Sequence, residues 1–266
     1  MSRPSAPTAG SDPGASTHTP SGASQIATLE ELGLRGTLFL AALLKAHADR
    51  LALAPTHHSA LLVLDTLRGM GVIQVPWPDQ RWQIRPDAHV TPLEGLQWAF
   101  SWPSHDPTHL LPALEDQLMD WGTEPILEAQ RMDAWQELAL WETESFLEQQ
   151  LRKHQFDTEW ARDVAFIFPT APSHLPIARW RYCCWAAVRQ GASVALCQSA
   201  PDAAGVREAI FQEMRKRLRY MASGPPHIGM FTPFQASPSS ALAQLFVEHV
   251  IPMDWAYWTQ QRNRDG

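Results

Sequence analysis

Apolar positions recur at helical spacing from the start of LEELGLRGTLFLAALLKAHADRL, through Leu38, Ala42 and Leu43, and predict a first helix beginning after Thr28. ADRLALA, residues 48–54, predicts a short second helix. Pro55-Thr56 opens a third, in which Ala60, Val63, Leu64, Leu67 and Met70 share one face. The period then changes to two. Ile73 and Val75 alternate with polar or small neighbours, Pro76-Trp77-Pro78-Asp79 reverses the chain, and Trp82 and Ile84 alternate with Arg81, Gln83 and Arg85. A half-buried ribbon with its arginines facing outward is expected there.

Beyond Pro92 the spacing is again mainly helical, with candidates at 92–102, 112–121, 124–152, 157–166, 174–190, 204–221 and 240–258, the last interrupted near Pro252. The short runs VAFIFP (164–169) and SVALCQ (193–198) fit either a strand or a buried helix. ASGPPHIGMFTPFQASPSS (222–240) is too rich in Gly, Pro and Ser to be regular. Residues 1–24 are Ser, Ala, Pro, Thr and Gly, with almost no apolar side chain to offset ordering entropy, and read as a disordered tail.

Three helices followed by a ribbon resemble the winged helix-turn-helix superfamily over residues 28–90. The expected organisation is therefore mainly α: a tail to residue 24, a winged-helix domain over 25–90, and an irregular helical domain over 91–266. The resemblance implies that the third helix and the wing would carry any DNA contact, with Arg68, Arg81 and Arg85 as the candidate residues. Projection of residues 56–70 at helical pitch sets His58, Leu61, Leu62, Asp65 and Arg68 opposite or beside the buried face. Leucines cannot read base edges and Asp65 repels phosphate, so Leu61, Leu62 and Asp65 are expected to form a protein interface instead.

Charge supports that preference. The chain carries a formal −7, which repels polyanions on average, and residues 25–90 hold six basic and six acidic side chains. Ten acids lie between Glu115 and Glu148 with Arg131 as the one base, a local charge of −9. Most of these should form a solvated helix face. Glu142 differs, because it projects with Trp135, Leu138, Ala139 and Phe146 and would need a partner if that face is buried.

ARWRYCCWAAVRQG, 178–191, is apolar almost all round and predicts an enclosed helix. Arg181, Trp185 and Arg189 fall along one strip, able to stack and to pair with acids such as Glu142, or else to form a small-anion site. Arg215, Lys216 and Arg219 form a basic patch on a helix whose other face is Val206, Ile210, Met214, Leu218 and Met221. A solvated face is the usual role of such a patch, and nucleic acid or a membrane surface the alternative. Twelve tryptophans against three lysines add weight to aromatic packing and interfaces.

Phosphate-loop, dinucleotide, nucleophile-elbow and metalloprotease motifs are missing from the sequence, and neither His105 with His109 nor His227 has the partners of a metal or catalytic centre. No catalytic residue, metal or cofactor is assigned. Cys183, Cys184 and Cys197 make no CxxC pair and are expected to be reduced and buried. With no apolar run long enough to span a bilayer and no leader-like N-terminus, a cytoplasmic location without membrane contact is expected. The expected function is non-catalytic: a regulator or adaptor acting through protein contacts or self-association, with DNA binding or a helical enzyme or anion sensor as alternatives.

Overall fold

The computed structural model describes residues 29–74, 98–100, 107–168, 175–197, 202–222, 229–232, 238–251 and 256–259. The expected tail and Arg81, Arg85, His105 and His227 lie outside these residues. Helices α1 (Leu29–Asp49) and α2 (His57–Gly69) precede a two-stranded antiparallel pair, β1 (Ile73–Gln74) and β2 (Ala99–Phe100). Among the described residues seven helices follow: α3 (Pro107–Thr123), α4 (Glu128–Lys153), α5 (Val164–Ile167), α6 (Ile177–Cys197), α7 (Ala203–Ala222), α8 (Ala241–Leu245) and α9 (Ala256–Thr259). A 3₁₀ turn, Pro125–Leu127, leads into α4, and another, Thr158–Asp163, leads into α5. The π-helical segment Phe246–Val250 extends α8.

Helix α1 sits at the centre. Every residue from Gly36 to Leu43 is buried, so this stretch has no solvent face and must be covered on all sides. Helices α3 and α8 cover most of it, with α2 and α4 completing the enclosure. Gly33 breaks the first turn at φ 62°, a left-handed conformation that a side chain would strain, and Leu32 and Leu34 on either side of it are both buried. The buried residues form one cluster running from Leu32 to Trp258.

Two helices, not three, lead to the strand pair. Helix α1 ends with Arg50 in the left-handed region, φ 56°, while Leu51 N–H donates back to Ala46 O at 3.1 Å. Ala52 then forms a parallel β-bridge with Ser240. The carbonyls of Ala52 and Leu53 accept from the N–H groups of Ala241 and Leu242 at 2.8 and 3.1 Å. These are the first two donors of α8, which have no partner within their own helix. Residues 50–54 thus cap another helix instead of forming one. The helix expected over 92–102 is likewise replaced at Ala99–Phe100 by β2, whose residues pair Phe100 with Ile73 and Ala99 with Gln74. The expected return strand at 82–85 is outside the described residues.

The remaining helices follow the hydrophobic spacing closely. The runs at 164–167 and 193–197 are helical, the latter completing α6. Helix α2 begins with a reciprocal cap in which Ser59 N–H donates to Thr56 Oγ1 and Thr56 N–H donates to Ser59 Oγ, both at 3.0 Å. It stops at Gly71, φ 74°, where Val72 N–H reaches Leu67 O. Helix α4 ends in the same way at Gln155, φ 58°, with Phe156 N–H bonded to Leu151 O. Close approaches are set by small residues. A Cβ on Gly122 would lie 2.7 Å from His249 O, and one on Gly191 would overlap the Ile210 side chain, so α3 meets the backbone of the π segment closely and α6 leaves room at Gly191 for a side chain of α7.

The turn between α3 and α4 depends on Arg131, a buried cation. Its guanidinium donates to Trp121 O at 2.8 Å and Glu124 O at 2.6 Å, and also binds the Glu128 carboxylate. It therefore supplies donors to carbonyls where α3 ends, the end at which the helix dipole favours a positive charge. Arg131→Met should retain most of the volume while leaving these acceptors unpaired. A loss of about 2–4 kcal/mol in unfolding free energy is expected in urea titration.

Candidate functional site

Helix α6 places its polar side chains in two different environments. On one side Arg181 is buried between two rings, its guanidinium carbon 4.4 Å from the Phe146 centroid on α4 and 4.9 Å from the Trp258 centroid on α9. This is cation–π packing in a desolvated setting, where the ring quadrupole is felt most strongly. Glu142 and Tyr257 lie in the same buried region, Tyr257 fully enclosed. Burial raises the Glu142 carboxyl to about 7 even though the Arg181 charge opposes the shift, and burial also lowers the Arg181 guanidinium from its ordinary value. Glu142 Oε1, Arg181 Nε and Tyr257 Oη find no hydrogen-bond partner among the described residues. The charges thus share a buried neighbourhood without a direct carboxylate–guanidinium hydrogen bond.

Phe231 closes this region. Its ring lies 4.9 Å from Phe146 and 6.2 Å from Trp185, and its N–H donates to Ala178 O at 2.9 Å. The strip Arg181, Trp185, Arg189 runs from interior to solvent. Trp185 is half-buried, and Arg189 is exposed, 4.8 Å over the Trp185 ring. Only the first part of α6 is enclosed, so Arg189 needs no buried acid. Cys183 and Cys184 are buried and reduced. Burial pushes Cys183 up to about 12 and Cys184 well above its usual range, which leaves both as neutral thiols. Cys197, expected inside, is exposed near the end of α6.

Toward α7, the same helix forms a cleft of about 420 Å³, lined by Gln190 from α6 and by Ala209, Gln212, Glu213, Arg215, Lys216 and Arg219 from α7. Three cations and two amides open onto it. Their own acids hold them loosely: Arg215 is 3.8 Å from Glu208, and Lys216 is 3.5 Å from Glu213. Arg219 donates through Nε to Arg215 O at 3.4 Å. Arg217, which projects beside the core stripe, pairs with Glu213 at 2.8 Å and lies 5.6 Å from the Tyr182 ring centroid. The apolar face of α7, from Val206 to Met221, is buried against α6 as its spacing predicts.

The candidate face of α2 is less open than projection suggests. Leu61 is 4% exposed and belongs to the core, while Leu62 is half-buried against it. The second half of the chain approaches this helix. The His58 imidazole is shifted down by burial and, next, by the Arg162 charge from the turn at 158–163. Asp65 and Arg68 bind each other at 2.7 Å, so Arg68 is already engaged by an acid. Gln190, Gln212, Tyr257, Trp258 and Phe231 were not identifiable from spacing, because the segments after Ala222 lack a sustained period and isolated glutamines carry no motif. No group of His, Cys, Asp or Glu suited to a metal ion occurs among the described residues.

A second buried acid stands near the 158–163 turn. Burial lifts Glu144 to about 7, and the charges of Glu148 and Glu159 add to the shift while Arg162 opposes it. Arg162 is itself paired with Glu159 at 2.9 Å. No family model, curated protein or solved structure matches the chain.

Glu144 has a defined linkage to pH. Its folded-state pKa, about 7, lies above the ordinary 4.5, so the folded protein retains a proton that the unfolded chain releases. The corresponding stability is fully present below pH 4.5 and is lost as pH rises to about 7. Glu144→Gln should raise unfolding free energy by about 2–3 kcal/mol at about pH 8, and the two proteins should converge in acid when compared by urea titration.

Proposed function

We propose that the chain is a non-catalytic regulator or adaptor that captures an acidic polypeptide segment in the α6–α7 cleft. The observation that carries this reading is the convergence of Arg215, Lys216 and Arg219 with the amides of Gln190 and Gln212 on one concave surface, in a chain of net charge −7. A merely solvated cationic face would not need to gather amide side chains around a cleft. Gln190 and Gln212 provide donors and acceptors for peptide groups, while the cations hold carboxylates.

Protein is favoured over nucleic acid by the distribution of charge. A polyphosphate approaching α7 would meet the long-range field of an acidic molecule, whereas a segment with a few carboxylates would be repelled less. The helix–helix–strand-pair unit at the N-terminus would carry a winged-helix DNA contact, but its Arg68 is tied to Asp65. The buried Arg181 is a weak candidate for an anion sensor because Glu142 shares its surroundings.

The three cations are expected to act as a unit. With a short fluorescent peptide carrying a few glutamates as the probe, anisotropy should report binding that weakens linearly as log salt rises. Arg215→Gln, Lys216→Gln and Arg219→Gln together should reduce affinity by about tenfold or more and flatten the salt slope, since each ionic contact is worth up to about 1 kcal/mol. Unchanged affinity in the triple variant would sink the groove reading.

A further inference from the structure

The exposed side of α3 complements the groove in sign, length and chemistry. Ala113, Asp116, Met119, Asp120 and Thr123 are exposed at spacings of three and four, and Glu124 and Ile126 continue the surface into the next turn. Asp116, Asp120 and Glu124 enter no ion pair among the described residues. Met119 and Ile126, 49% and 85% exposed, add apolar contact to the carboxylates. Ala113 to Thr123 spans about 15 Å of helix, and the groove wall from Ala209 to Arg219 spans about 15 Å as well.

The stripe and the groove belong to different flanks of one chain. Helices α3 and α7 are packed against different neighbours, α1 and α6. The stripe residues are exposed in the folded chain, so a chain does not lay its own α3 stripe in its own groove.

We infer that the occupant of the groove is the α3 stripe of a second copy of this chain. The inference rests on the groove being a site for acidic polypeptide and specifies which polypeptide enters it. The contact joins two different surfaces, so it is head-to-tail and builds a ring or an open chain of copies, not an isologous pair. Carboxylates of Asp116, Asp120 and Glu124 would face the cations of Arg215, Lys216 and Arg219, with the apolar side chains desolvating the centre.

Charge reversal in both partners tests this directly. Sedimentation velocity of the full chain should show association at about 0.1 M salt that is lost at about 1 M, where the screening length falls from about 10 Å to about 3 Å. A groove-reversed variant (Arg215→Glu, Lys216→Glu, Arg219→Glu) and a stripe-reversed variant (Asp116→Lys, Asp120→Lys, Glu124→Lys) should each sediment as monomers. An equimolar mixture of the two should associate again, because every contact in it regains opposite signs. Circular dichroism checks that both keep their helical content, and Gln replacements at the same positions serve if a reversal unfolds the chain. A monomeric parent chain, association indifferent to either variant, or a mixture that stays monomeric overturns the inference. If the short glutamate-bearing peptide still binds in any of those cases, the groove reading stands and only the self-occupant is wrong. If the probe fails as well, both are wrong.

Discussion

The segment Gly36–Leu43 has no polar side to give to water, and the rest of the molecule is arranged to enclose it. A helix apolar on all faces loses burial wherever a side is left open, at about 25 cal/mol per Å² of apolar surface. One neighbouring helix covers only a stripe. Covering α1 therefore takes α3 and α8 together with α2 and α4, drawn from regions separated by up to two hundred residues of chain. Residues 52–53 follow from the same requirement. By capping the start of α8 with their carbonyls, they hold that short helix against α1, although five residues alone could not sustain helical structure.

Periodicity made the local faces legible, because the burial that orders a helix repeats along it. Ala60, Val63, Leu64 and Leu67 are buried in α2, and Glu142 is buried with Trp135, Leu138, Ala139 and Phe146 in α4, as their spacing required. Termination was legible only where its residue type announces it. Gly71 marks the end of α2, but Arg50 and Gln155 adopt the same left-handed conformation without the glycine that would have signalled it. Pairing partners were not legible at all. Nothing local in Ala99–Phe100 specifies Ile73–Gln74 as its complement, and a helical reading of 92–102 was the natural result. The same gap explains Leu61. Projection gives the angle of a side chain but not what packs against it, and Leu61 joins the core.

For the charged groups, composition gave the sum and the structure gives the assignment of each charge to interior or surface. Arg131 sits inside because it completes the end of α3 with backbone acceptors, so its burial is matched by hydrogen bonds. Arg181 is buried differently, between aromatic faces and near an acid that burial drives toward neutrality. Burial raises the Glu142 carboxyl and lowers the Arg181 guanidinium while the charge of each opposes the shift of the other, so mutual attraction adds to the contact with the rings in holding the cation inside.

What the interior cannot hold is displaced outward, and it is sorted by sign. Asp116 and Asp120 are exposed on α3 and Glu124 just beyond its end, while Arg215, Lys216 and Arg219 line the cleft between α7 and α6. On α7 the pairs Arg215–Glu208 and Lys216–Glu213, at 3.8 and 3.5 Å, are long and exposed, the kind that contribute little. The α7 cations, and the acids of α3 that enter no ion pair among the described residues, therefore keep electrostatic attraction to offer. Such an arrangement adds nothing to the stability of the isolated chain, since like charges in each set repel. Its physical advantage appears only when an oppositely charged surface arrives from outside, which is why the charge distribution argues for an interface more strongly than any single residue does.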